Sequence, residues 1–371
     1  MRFVDYSLED IEKDIVRGAR IVFFGAGRAL TTFCRRSRYM NWSEAASYVA
    51  DNNENIWGME KVFDTVKLKI DSIEKILLKE KGTVIVVLVT QYATSEIYWQ
   101  LSQLNVPERI VGVYFGFAME KSLENGIYSG KFAYSLPKEN VEIPKVIHYC
   151  WFGKNSIPDY CREWMKSWRK YCPDYEIVEW NEDNYDVRKC EYMCEAYDAK
   201  QWSYVPDYAR LDIIYNYGGI YLDTDVELLR NLDPFRFQEA FAFFQDVLVV
   251  ATGLGFGAVP NNPIIKEMRD YYDEFHYNEY DRGSCIRYQM PILEKYGLIA
   301  NGTFQQIPHI NIFPANLAIN KYAYRGEMLS DYKGYTIHHG TAFYENDSGR
   351  HKLNLISEIY KDIIRRSDDH V

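Results

Sequence analysis

Apolar and polar positions in the first 130 residues follow two alternating rhythms. Leu8, Ile11 and Ile15 fall on one side at helical spacing and predict a helix over 7–17. Apolar runs at 20–24 and 83–90 predict buried strands, and 46–49 and 110–115 predict two more. Helical stretches follow at 71–80 and 95–104, and another passes through Leu30 and Phe33. Strands alternating with helices predict a doubly wound parallel sheet. Residues 122–144, with Gly126, Gly130, Pro137 and Pro144, break the rhythm. The expected organisation is a first domain over 1–130, a linker over 131–142 and a second domain over 143–371.

In the second domain, 143–153 predicts a strand ending at Trp151 and Gly153. A helix over 158–171 and a strand over 175–180 follow. Pro206 opens another helix and Gly218 closes it, the expected proline-first, glycine-last order. Ile220-Tyr221-Leu222 predicts a short buried strand running into Asp223-Thr224-Asp225. Farther on, 241–244 predicts a strand, 263–275 and 286–296 helices, and 335–337 a late strand followed by His338 and His339. Thr252 to Gly257 is a glycine-rich strand or turn that lets a ligand approach the backbone.

In a strand, Asp223 and Asp225 share a face. Paired carboxylates resist ionisation unless a cation lies between them, and Mg²⁺ or Mn²⁺ is the simplest resident. The alternative is a surface turn with two solvated aspartates. Asp207 and Arg210, three apart on a helix, form either a local ion pair or a site for sugar hydroxyls and phosphates. Trp151 is either core or a platform for a base. One of His338 and His339 completes a metal shell, or both are satisfied histidines of the interior. Gly25-Ala26-Gly27 stands between a strand and a helix, and Asp51 ends the next strand where a ribose-binding acid is found. Leu30 fills the third glycine position of that fingerprint. Gly25, Gly27 and Asp51 are therefore a nucleotide site, or a turn kept for structure alone.

Composition narrows the partners. A formal charge of −10 over 371 residues argues against nucleic acid. Aromatic residues, at 16%, suit both sugar stacking and core packing. There is no run of transmembrane length and no signal-peptide form at the N-terminus. Seven scattered cysteines without a Cys-x-x-Cys favour neither a zinc site nor a disulfide framework. A reduced, cytoplasmic protein is the expectation. Arg35, Arg36 and Arg38, with Arg365 and Arg366, are either contacts for an anionic membrane or solvated faces.

The stretches 143–153, 171–184 and 207–225 together resemble the bacterial DXD-containing sugar transferases of glycosyltransferase family 32, of the capsular polysaccharide type. The first domain resembles the Rossmann-like domains attached to such enzymes. The resemblance implies a GT-A fold, a nucleotide-sugar donor (a UDP-sugar favoured), Mn²⁺ or Mg²⁺, and transfer with retention. The implied acceptor is a saccharide, lipid-linked forms included, in capsule or O-antigen synthesis. It places Trp151 on the base, Tyr221 along the nucleotide, Asp207 and Arg210 on the donor sugar, and Asp223 and Asp225 on ribose and metal. His338 resembles the third metal ligand of related retaining transferases. Pro206 departs from the Ser or Ala of many relatives. Two rival functions remain at this stage: a nucleotidyltransferase, which also pairs carboxylates around a metal, and a nucleotide-sensing scaffold with an inert second domain.

Overall fold

The computed structural model describes residues 1–37, 42–90, 93–278, 285–320, 332–340 and 347–368. The architecture is mixed α/β with sheets rich in parallel pairing, and the chain divides into two compact units.

The first unit contains β1 (Arg2–Phe3), β2 (Arg20–Phe24), β3 (Ala46–Ala50), β4 (Glu60–Phe63), β5 (Val66–Asp71), β6 (Val84–Leu88) and β7 (Ile110–Tyr114). Their order in the sheet is β1-β7-β6-β2-β3-β5-β4. All pairs are parallel except the edge hairpin of β4 with β5. Pattern reading supplied no strand for that hairpin, because its outer strand is mostly exposed and carries little apolar signal. The Val-Ile-Val-Val-Leu run of β6 is fully buried, as a central parallel strand requires. The first helix, Leu8–Val16, starts at a capping box in which Ser7 and Asp10 satisfy each other's backbone amides.

The helix Asp347–Asp368 belongs to this unit, which corrects the expectation that 143–371 forms one domain. Its Ile356, Ile359 and Ile363 line one face at helical spacing and lie in the core beside Tyr98 and Leu101. The Tyr98 hydroxyl donates to Asp362 at 2.6 Å. Arg365 and Arg366, read from the sequence as either membrane contacts or solvated faces, also engage Asp362. Arg35 faces Asp64 at 3.5 Å, while Arg38 and the Arg36 side chain lie outside the described residues.

In the second unit are β8 (Val146–Cys150), β9 (Glu176–Trp180), β10 (Gly219–Tyr221), β11 (Val226–Leu228), β12 (Ala240–Phe243), β13 (Phe256–Ala258), β14 (Gln305–Ile307), β15 (Ile310–Phe313), β16 (Ala318–Asn320) and β17 (Thr336–His338). Seven of them form a sheet in the order β14-β15-β12-β13-β10-β8-β9, and β11-β17-β16 form a second, smaller sheet. Strands β9, β8 and β10 run parallel, so their C-terminal ends share one edge. The helix Val205–Tyr217 feeds β10 through Gly218 and Gly219, both at positive φ. A Cβ on Gly219 would stand 2.8 Å from Val146 O and 2.9 Å from His148 Nε2, so only glycine lets β10 lie this close to β8. The expected linker docks on this unit: Glu139 N donates to Phe237 O at 2.9 Å, and Glu142 pairs with Arg236 at 2.7 Å. No helix among the described residues is long and apolar enough to cross a membrane.

Candidate active site

Strand β10 ends at Tyr221, so Asp223-Thr224-Asp225 is a turn and not the end of a strand. The turn is closed by Val226 N donating to Asp223 O at 3.0 Å. The two carboxylates converge because the backbone folds back, not because strand side chains alternate. The chain leaves the turn as β11, which pairs antiparallel with β17 and sets Val226 opposite His338. His338 Nε2 therefore lies 3.2 Å from Asp225 Oδ1. Ligand atoms of Asp223, Asp225 and His338 all fall within 4.8 Å of one another. His339 N donates to Asp225 O, while its ring turns away, stacking on Trp164 at 3.7 Å and reaching Glu227 at 3.0 Å. Of the two histidines, His338 is the one that joins the carboxylates.

Asp207 and Arg210 sit behind this trio. Their spacing on the Val205–Tyr217 helix does give an ion pair, at 3.1 Å, but both are buried and Arg210 also faces Asp223 at 3.5 Å. Arg210 Nε donates to Pro206 O at 3.1 Å, and the guanidinium lies over the Tyr221 ring. Tyr221 is itself 1% exposed, so it supports Arg210 from beneath and offers no open face to a nucleotide.

Burial pushes the Asp207 carboxyl up to about 7; Arg210 opposes this, and the Asp223 charge adds to it. Burial also raises Asp223, with Arg210 opposing and Asp225 adding. The carboxylates around Arg210 hold it firmly as a cation despite its burial. One guanidinium is thus shared by two carboxylates. With Asp225 beside this pair and His338 neutral, full ionisation of the three carboxylates would leave two negative charges beyond the one guanidinium, a state that a bound cation favours. Two carboxylates and an imidazole, carrying that excess charge, fit a divalent ion, and the nitrogen donor suits Mn²⁺ better than Mg²⁺.

Several neighbours carry no sequence signal of their role. Gly253, in a 3₁₀ turn at Thr252–Leu254, accepts from Asp223 N at 3.3 Å. A methyl on it would stand 2.3 Å from Asp223 Oδ2. The glycine that reads as room for a ligand makes room for the carboxylate. Trp168, fully buried, donates Nε1–H to Val226 O at 2.8 Å and so fixes the exit of the aspartate turn. Cys150 and Cys285 both lie in the field of Arg210 and Asp223, and burial pushes each thiol up to about 12.

Trp151 follows β8 at the same sheet edge and is half-buried, its Nε1–H donated to Asn155 O. It borders a cleft of about 610 Å³ whose lining includes Arg162, Met165, Lys166 and Arg169. A second trio, Glu191, Glu195 and His276, converges on the surface, where His276 meets Glu195 at 2.9 Å.

In the first unit, Gly25 has φ 106° and Gly27 caps the helix Arg28–Arg36. The Asp51 carboxylate accepts from Ala26 N at 2.7 Å and from Asn53 N at 2.8 Å. It braces the glycine turn directly.

Residues 158–242 match the family model described as the glycosyltransferase sugar-binding region containing DXD motif, and Asp223-Thr224-Asp225 lies within them. The chain is 36% identical over 100 residues to inositol phosphoceramide mannosyltransferase 3 of Schizosaccharomyces pombe, covering 26% of this chain and 28% of that protein. It is 24% identical over 159 residues to inositol phosphoceramide mannosyltransferase 1 of the same yeast, covering 40% and 48%. It is 29% identical over 145 residues to mannosyl phosphorylinositol ceramide synthase SUR1 of Saccharomyces cerevisiae, covering 37% of each. The chain thus spans half or less of the length of these relatives. Among solved structures, the PaToxG glycosyltransferase aligns with a TM-score of 0.36 at 18% identity, over 48% of this chain and 78% of that one. These relatives are fungal, and none is named for capsule synthesis.

Proposed function

We propose that the protein is a metal-dependent retaining glycosyltransferase that moves a hexose from a nucleotide sugar to an acceptor hydroxyl. The observation that carries this is the convergence of Asp223, Asp225 and His338 at a sheet edge beside the buried Asp207–Arg210 pair. The matched DXD region and the names of the relatives support it, and those names make mannose a donor sugar to test beside the UDP-sugars that the sequence favours. A GT-A fold for the second unit and a Rossmann-like origin for the first are part of the same reading.

Asp223, Asp225 and His338 would hold a divalent cation, which would offset the charge that develops on the leaving pyrophosphate. Asp207 accepts hydrogen bonds from the donor sugar. Arg210, locked by Asp207, Asp223 and Tyr221, presents a fixed positive charge at the sugar–phosphate junction. Trp151 stands at the rim as the platform for the base. The nearby Cys150 and Cys285 stay protonated and are poor nucleophiles. We therefore favour front-face attack. The acceptor oxygen bonds to the anomeric carbon as the carbon–phosphate oxygen bond breaks, and the acceptor proton passes to the departing phosphate oxygen. A saccharide and an inositol phospholipid both supply such a hydroxyl.

Incubation with UDP- and GDP-sugars and Mn²⁺, followed by chromatography of the nucleotides, tests the proposal. Release of nucleoside diphosphate that EDTA stops is the expected result. Pyrophosphate release from a nucleoside triphosphate and a sugar phosphate would favour nucleotidyl transfer instead.

A further inference from the structure

Two buried side chains near the site keep a polar atom that no described residue satisfies: Gln289 Nε2 and Tyr272 Oη. Both residues are 0% exposed. A buried donor without an acceptor is costly, so these atoms call for a partner that the described residues do not supply.

Their placement says where that partner sits. Gln289 lies on the helix Cys285–Lys295, and its Oε1 accepts from Thr252 Oγ1 at 3.1 Å. Thr252 precedes Gly253, whose backbone is pressed against Asp223. One helical turn before Gln289, on the same face, Cys285 lies in the field of Asp207, Arg210 and Asp223. The carboxamide is therefore on the wall between the aspartate turn and Asp207. Tyr272 packs against the same helix. Its ring packs on Tyr288 at 4.8 Å, and its phenol feels the charges of Asp207 and Arg210.

The chemistry of the wall is complementary. An ionised carboxylate only accepts hydrogen bonds, whereas an amide NH₂ only donates them and a phenol can do so. A sugar hydroxyl does both at once. One that donates to Asp207 is free to accept from Gln289 Nε2, and a neighbouring hydroxyl accepts from Tyr272. We infer that Gln289 and Tyr272 bind hydroxyls of the donor sugar and set which hexose the site accepts. This rests on the reading above that the site takes a nucleotide sugar.

The test compares affinity for each nucleotide sugar (UDP-glucose, UDP-galactose, UDP-N-acetylglucosamine and GDP-mannose) with that for UDP or GDP alone. Titration calorimetry with Mn²⁺ supplies both values for the wild type, Gln289→Met and Tyr272→Phe. Methionine keeps the length of the side chain and removes the donor without adding charge, giving up the bond from Thr252; phenylalanine removes only the hydroxyl. For the preferred sugar, the ratio of the two affinities should fall about tenfold in each variant, with binding of the bare nucleotide unchanged and the variants folded by circular dichroism. A wild type that discriminates among the sugars, with variants that keep its ratios, would overturn the inference and leave the two atoms to enclosed water. A wild type that binds no nucleotide sugar would overturn the functional reading as well.

Discussion

His338 Nε2 stands 3.2 Å from Asp225 Oδ1, although more than a hundred residues of chain separate the two. A single antiparallel pairing, Val226 opposite His338, closes that distance.

The contact has a titration signature. Burial favours the neutral ring, but the Asp225 charge and hydrogen bond, with Asp223 behind, outweigh it and hold the His338 pKa above 6.5. This contribution to metal-free stability is present below 6.5 and is lost as pH rises through the raised value. Metal needs the neutral ring, so Mn²⁺ affinity should rise with pH through a midpoint above 6.5 as one proton is released. His338→Ala should weaken Mn²⁺ binding roughly tenfold or more and flatten that dependence. Calorimetry in buffers of different ionisation heat reads both effects, and equal wild-type affinity at pH 6 and 8 would contradict the assignment.

Gly253→Ala separates the site from the fold. The added methyl would meet Asp223 Oδ2 at 2.3 Å, so the carboxylate must move. Mn²⁺ binding and turnover should fall at least tenfold, while the melting temperature changes by no more than a few degrees. Normal turnover would show that the position of Asp223 is not critical.

Arg210→Met should be costly to the fold itself. It leaves Asp207 buried and Asp223 half-buried without their shared cation, a change worth about 3–5 kcal/mol. Adding Asp207→Asn should recover part of this loss. Denaturant midpoints of the single and double variants check the order.

His148 gives an acid sensitivity independent of the metal. Its Nε2–H donates to Gly218 O at 3.0 Å and its Nδ1 accepts from Trp180 Nε1–H at 3.0 Å, so both nitrogens are committed to the neutral ring. Burial lowers its pKa to about 4. Its contribution is full above 6.5 and is lost as pH falls toward 4, by about 3 kcal/mol at most. Gln is able to keep the bond to Gly218. The stability difference between wild type and His148→Gln should therefore shrink or reverse between pH 7 and 4.5, and a constant difference would refute the linkage.

The sequence shows some of these features and hides others for physical reasons. Buried strands such as β6 and the helices opened by Ser7 and Pro206 are local patterns, readable from period and caps. Asp207 with Arg210 is legible because helical spacing makes them neighbours. The Asp223–Asp225 convergence is legible, but by a turn where strand alternation would predict it. Gly253, Trp168 and Gln289 are not legible, because each acts through a tertiary contact that no local period encodes. The closing helix shows its apolar face in the sequence, but not which unit that face covers.

The central claim is that Asp223, Asp225 and His338 hold a divalent ion for glycosyl transfer. Its most direct test is Mn²⁺-dependent release of nucleoside diphosphate from a panel of UDP- and GDP-sugars, by wild type and Asp225→Asn, with folding checked by circular dichroism. The account predicts turnover of at least one donor by the wild type, abolition by EDTA, and a folded Asp225→Asn variant at least a hundredfold slower. Undiminished release in EDTA, or an Asp225→Asn variant as fast as the wild type, would contradict it.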